Sequence, residues 1–122
     1  HRIVDGEILV TARLDGLPER IRTEIGDGIP KRLEFSIELI RQWDNWLDEY
    51  IDGVTIVRTI KYDVTKKQYE LSSREGRYLY EKSTSDTEAA FRWLTRLDDV
   101  PLARVSGLPG GVYYVQVRVE AR

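Results

Sequence analysis

Three β-strands in immediate succession, over Val54–Lys82 (VTIVRTIKYDVTKKQYELSSREGRYLYEK), leave this chain few folds to choose from. Val54, Ile56, Ile60 and Tyr62 share one parity, and Thr55, Thr59 and Lys61 take the other, the period of two that marks a half-buried strand. After a polar turn around Asp63–Lys66, Tyr69 and Leu71 alternate with Gln68, Glu70 and Ser72. Ser73–Gly76 is a second turn signal, with Gly76 free to adopt the positive φ that closes many hairpins. Strands joined so tightly must pair antiparallel, because a parallel pair needs a crossover of a dozen or so residues.

The flanking segments obey the same period. Ile8, Val10, Ala12 and Leu14 alternate with Glu7, Thr11 and Arg13 behind an Asp5-Gly6 turn or bulge. Leu33, Phe35, Ile37 and Leu39 alternate with Arg32, Glu34, Ser36 and Glu38 in the strictest pattern of the chain, predicting a strand over 32–43. The last strand, 112–121, places Tyr113, Val115, Val117 and Val119 on one face, and 102–105 reads as a short extended segment. Two helices interrupt the strands. Leu17, Ile21 and Ile25 form a narrow stripe after Pro18, a residue suited to a first helical turn. Ala90, Trp93, Leu94 and Leu97 form a fuller stripe behind the capping-box pattern Ser85-Asp86-Thr87-Glu88, predicting a helix over 86–97 that Asp98-Asp99 ends. The expected fold is one domain, residues 1–122: mainly β (α+β), an antiparallel two-sheet β-sandwich-like domain of about seven strands with two short helices.

Composition narrows function mostly by exclusion. With 19 basic and 21 acidic residues scattered along the chain, no basic patch suited to nucleic acid is visible. The absence of cysteine removes disulfides, thiol nucleophiles and thiolate metal sites. The sole histidine is terminal His1, which leaves no imidazole placed for acid–base or triad chemistry. Gly107 and Gly110-Gly111 precede a strand, the wrong context for a phosphate cradle at a helix start. No apolar run approaches the roughly 20 residues of a membrane-spanning helix. Lacking methionine, the chain reads as a processed or trimmed stretch of a longer product, with His1 a tag remnant.

One segment concentrates chemistry. Trp43-Asp44-Asn45-Trp46-Leu47-Asp48-Glu49-Tyr50-Ile51-Asp52-Gly53 reads as an irregular crossing with a helical turn after Asp44. Trp43, Trp46, Asp48 and Tyr50 are its candidate ligand- or partner-binding residues. Asp44, Asp48, Glu49 and Asp52 are the only candidates for a carboxylate-pair hydrolase or, with Asp98 and Asp99, for oxygen ligation of Ca²⁺. Their spacing does not match an EF-hand loop, so no metal site, catalytic residue or cofactor is assigned. The plainer expectation for the aromatics is that they plug the end of the sandwich with Trp93 beneath them. Arg58, which breaks the apolar face of its strand, is expected to reach the rim or pair with a carboxylate.

Taken together, Trp43, Trp46 and Asp48, Ile60-Lys61-Tyr62-Asp63, Gln68-Tyr69-Glu70-Leu71, Glu88-Ala89-Ala90 and Leu108-Pro109-Gly110-Gly111-Val112-Tyr113-Tyr114-Val115 resemble the DUF4390 family, uncharacterised exported bacterial proteins. The resemblance spans nearly the whole chain, and its strongest piece, the Tyr-Asp turn followed by Gln-Tyr-x-Leu, is a hairpin signature. It implies a signal sequence in the parent protein and a periplasmic or cell-envelope location, and it carries no catalytic residues. The function expected is a non-enzymatic, structural or protein-interaction module that binds another envelope protein and no nucleic acid, in an oligomeric state the residues leave open. The alternatives are a lipid- or carbohydrate-binding domain using the aromatic segment, and a carboxylate-based hydrolase.

Overall fold

A computed structural model describes all residues, 1–122. Eight strands, two α-helices and one 3-10 turn follow in the order β1 (Arg2–Val4), β2 (Glu7–Arg13), α1 (Glu19–Gly26), β3 (Lys31–Gln42), β4 (Glu49–Asp63), β5 (Gln68–Glu75), β6 (Tyr78–Thr84), α2 (Thr87–Thr95), β7 (Arg96–Arg104), the turn Val105–Gly107, and β8 (Val112–Ala121). All pairings are antiparallel. They make a three-stranded sheet, β1-β2-β7, and a five-stranded sheet, β6-β5-β4-β3-β8, with no closed barrel. The expected sandwich with two helices is the observed fold.

The Val54–Lys82 meander is β4-β5-β6. Gly76, at φ +58, opens the two-residue β5–β6 connection. At the β4–β5 turn the Asp63 carboxylate accepts the N–H groups of Thr65 (3.0 Å) and Lys66 (3.1 Å). The Lys66 N–H, then that of Thr65 and the nearby lysine charges, hold this carboxyl below its ordinary value despite an opposing contribution from burial. A depressed folded-state pKa means that the stabilisation is present above the unfolded value and is lost as pH falls through the folded one. Asp63→Asn is therefore expected to lower stability at pH 7. The gap to the wild type, followed by urea denaturation, should close progressively below about pH 4.

Period-two alternation turns into burial. Leu33, Phe35, Ile37 and Leu39 of β3, Ile56 and Ile60 of β4, and Tyr69 and Leu71 of β5 line the inner face of the large sheet. Ile8 and Val10 of β2 and Leu97, Val100 and Leu102 of β7 close over it, with β7 crossing β3 and β4. The rest of that face is covered by α2, packed on β4, β5 and β6, and by α1, packed on β4. Ile25 of α1 and Leu94 of α2 are fully buried, each contributing about 1.5–3 kcal/mol by leaving water.

Three boundaries differ from the sequence expectations. Arg2–Val4 is an eighth strand, folded onto β2 through Asp5-Gly6; both turn residues have positive φ, the geometry Asp-Gly favours in hairpins. Helix α2 stops at Thr95, and its N-cap is Asp86, which accepts from Ala89 N at 3.1 Å; Ser85 plays no such part. Arg96 and Leu97 belong to β7, which runs nine residues instead of the short 102–105 segment. Asp98-Asp99 therefore does not end a helix. Asp99 sits at a register shift between β2 and β7 at φ +49. There it receives both arms of Arg2 (2.8 and 3.0 Å), while its N–H donates to Thr11 Oγ1 at 3.1 Å.

Arg58 resolves differently from either expectation. Its Nη1 donates to the carbonyls of Trp93 and Arg96, the latter at 2.6 Å, and its guanidinium lies 4.3 Å from the centre of the Trp93 ring. A cation is thus placed where the dipole of α2 is negative and its last carbonyls lack helical partners.

Candidate functional site

The segment Trp43–Asp48 is the tip of the long β3–β4 hairpin, not an irregular crossing. β3 continues to Gln42, β4 begins at Glu49, and Arg41 pairs with Glu49 across the ladder. Asn45, at φ +59, supplies the reversal; asparagine tolerates this conformation better than most residues. One register shift, between Leu39 and Ile40, re-aims the end of the hairpin. Beyond it Ile40, buried but outside the main core, is flanked in the sheet by Tyr50 on β4 and Tyr114 on β8.

The aromatics do not plug the sandwich. Trp46 is 79% exposed, Leu47 80%, Tyr50 59% and Trp43 40%. Trp93 lies elsewhere, between Arg58 and Lys82. The burial expectation fails for Trp43, Trp46 and Leu47 because they fall past the last ladder pair of β3 with β8, Gln42 with Val112, where no second sheet covers them; Tyr50, paired with Ile40 inside the ladder, is exposed as well.

Four contacts fix the tip. The Arg41 guanidinium stacks 3.9 Å from the centre of the Trp43 ring and donates to the Gly110 carbonyl at 2.5 Å. Trp43 Nε1 donates to Glu49 Oε1 at 3.1 Å. The Tyr114 hydroxyl donates to Asp48 Oδ2 at 2.6 Å, which holds that hydroxyl above the ordinary tyrosine range. Gly111, at φ +149, lets the loop before β8 press on Arg41, because a Cβ there would stand 2.8 Å from Arg41 Nε. The tip is thereby tied to the start of β8.

Tyr50 folds over Gly53, where an added Cβ would meet Tyr50 Oη at 2.8 Å and the Ile37 carbonyl at 3.0 Å. In most strands replacing glycine by alanine is favourable. Here Gly53→Ala should instead cost about 1 kcal/mol and displace Tyr50, as read by urea denaturation and by the aromatic side-chain signals in NMR spectra.

Asp44 and Asp48 of the tip, and Glu49 and Asp52 at the start of β4, form no ion pair. Trp43, Trp46, Leu47, Asp48 and Glu49 line a shallow open depression of about 560 Å³. No three Asp, Glu or His side chains converge as a metal-binding cluster.

Next to the tip the sandwich gapes. β1 and β8 are edge strands of their own sheets, and between them opens a largely apolar groove of about 370 Å³ lined by Ile3, Ile8, Leu39, Val105, Tyr113 and Val115, among others. β8 pairs with β3 over ten consecutive residues without a register shift. Arg122 and Arg32 exchange both backbone hydrogen bonds (2.8 and 3.0 Å), so the alternation of an antiparallel ladder turns the even-numbered residues of β8 toward β3. The N–H and C=O groups of Tyr113, Val115, Val117 and Val119 point to the free side. Sequence reasoning placed these side chains on one face but had no means of finding the groove, which depends on β1. The signal for β1 was Asp5-Gly6, read as a turn or bulge without a strand assigned ahead of it.

Residues 1–122 match the family described as Domain of unknown function (DUF4390), and the chain belongs to that family. No curated protein and no solved structure matches it. No helix is long and apolar enough to cross a membrane.

Proposed function

We propose that this domain is a non-enzymatic protein-interaction module of the bacterial periplasm or cell envelope, which takes up an extended segment of another envelope protein as an added strand along β8. One observation carries the reading: a ten-residue edge with its backbone groups free beside an apolar groove. Folded proteins usually blunt such edges with proline, lysine, a bulge or brevity. β8 (VYYVQVRVEA) has none of these. Its two charged residues, Arg118 and Glu120, are each held in an ion pair, with Glu38 and Arg122, whereas the opposite edge, β6, is shorter and carries a lysine, Lys82. Strand addition draws its affinity from main-chain hydrogen bonds and its selectivity from alternate side chains, which here would enter the groove.

The exposed indoles also suit a lipid- or carbohydrate-binding platform, the second reading. Recovery of partners from envelope extract by wild-type protein and by Val117→Pro separates the two. Strand addition predicts specific recovery that the proline abolishes, because it deletes a free N–H and obstructs a neighbouring strand. Recovery of the same partners at the same yield by both proteins contradicts it.

A further inference from the structure

We infer that the Trp43–Tyr50 tip is a docking site for arginine or lysine side chains, and that the segment captured along β8 is accordingly an extended peptide with cationic residues at the end that passes the tip. This inference rests on the strand-accepting reading of β8 and names the chemistry of its partner.

Position links the two features. The first residue of β8, Val112, lies opposite the last of β3, Gln42, and Tyr114 reaches Asp48 of the tip. A strand laid along β8 therefore emerges beside the tip as it passes Val112, whichever way it runs. Charge complementarity then selects its residues. Asp44, Asp48 and Glu49 lie within three residues of Trp46 in sequence and none of them is in an ion pair, so the tip sets three carboxylates beside two exposed apolar side chains, Trp46 and Leu47. The tip already demonstrates the recognition it would use: the Arg41 guanidinium stacks on Trp43 while the Trp43 N–H engages Glu49. Trp46 offers a second indole face with no cation over it, flanked by Asp44 and Asp48. An arginine can stack on that face and reach a carboxylate at once. The same carboxylates disfavour an anionic bilayer surface.

The test uses three synthetic peptides of alternating valine and threonine, ending in two arginines, two citrullines or two glutamates, made with the pair at either end. Binding is followed by tryptophan fluorescence. The arginine peptide should bind about tenfold tighter than the glutamate peptide at low salt, with the gap narrowing at high salt. Trp46→Ala should weaken the arginine peptide about threefold. Asp44→Asn, Asp48→Asn and Glu49→Gln combined should erase the preference while leaving the citrulline peptide bound. Equal affinity for all three peptides, or a preference that survives neutralisation, overturns the inference. So does a Trp46 emission shift on zwitterionic phosphatidylcholine vesicles with no discrimination among peptides, which would assign the tip to a bilayer. The Val117→Pro variant distinguishes the two failures. Binding unchanged by the proline refutes strand addition, whichever peptide is favoured. Charge-indifferent binding that the proline still abolishes refutes the cationic partner alone.

Discussion

Arg118→Pro should cost the protein about 3 kcal/mol, whereas Val117→Pro, one residue earlier, should leave it folded with a loss within about 1 kcal/mol. The contrast follows from the ladder. Arg118 is an even-numbered residue of β8, so its N–H is spent on β3 opposite Ser36, and its side chain pairs with Glu38. Proline there deletes a sheet hydrogen bond, leaves a carbonyl of β3 without its donor, and forces a ring against the neighbouring strand. Val117 turns its N–H outward and its side chain is partly exposed, so proline removes little that the monomer uses. Urea denaturation monitored by circular dichroism reads both effects. Comparable losses for the two variants would mean that β8 is not bonded in the alternation described.

The second large effect is Arg58→Met, for which a loss of about 2–3 kcal/mol is expected, with roughly half recovered in Arg58→Lys. Methionine fills a similar volume but supplies no donor, leaving the Trp93 and Arg96 carbonyls at the end of α2 without their partner and removing the cation from the Trp93 face. Lysine restores the charge at the helix C-terminus but not the planar guanidinium that lies over the Trp93 ring while its Nη1 donates to both carbonyls. Burial holds the Arg58 pKa below its ordinary value, with Asp98 opposing, yet an arginine keeps its proton throughout the working range of pH. The loss should therefore be nearly constant from pH 5 to pH 9 or so, and a destabilisation confined to one end of that range would contradict the capping role. Because α2 covers β4, β5 and β6, helix protection in amide exchange should fall before that of β3.

The inner faces of the sheets were legible in the sequence because their residues obey a strict period of two. Leu33, Phe35, Ile37 and Leu39 could not switch faces without emptying the core. The end of α2 was not legible in the same way. Leu97 continues the helical stripe of Ala90, Trp93 and Leu94, and it is equally buried as a strand residue; pairing of Arg96 and Leu97 with Arg13 and Ala12 decides the matter, and that contact is remote in sequence. Trp43 and Trp46 show the limit for the site. Residue type favours burying an indole, but position beyond the last ladder pair leaves none of the second sheet to bury it against. The choice of candidate residues, Trp43, Trp46, Asp48 and Tyr50, rested on local composition alone and picked out the exposed tip. The groove beside it needed β1, β8 and the loop at 105–111 brought together from opposite ends of the chain.

Residue-resolved amide hydrogen exchange on β8 tests strand addition most directly, measured on the protein alone and with the arginine-ended valine–threonine peptide at saturation. In the free protein the amides of Tyr114, Gln116 and Arg118 should be protected while those of Tyr113, Val115 and Val117 exchange freely. On binding, the odd-numbered set should become protected and the even-numbered set should change little. Odd-numbered amides that stay unprotected while the peptide is bound would contradict an added strand along β8.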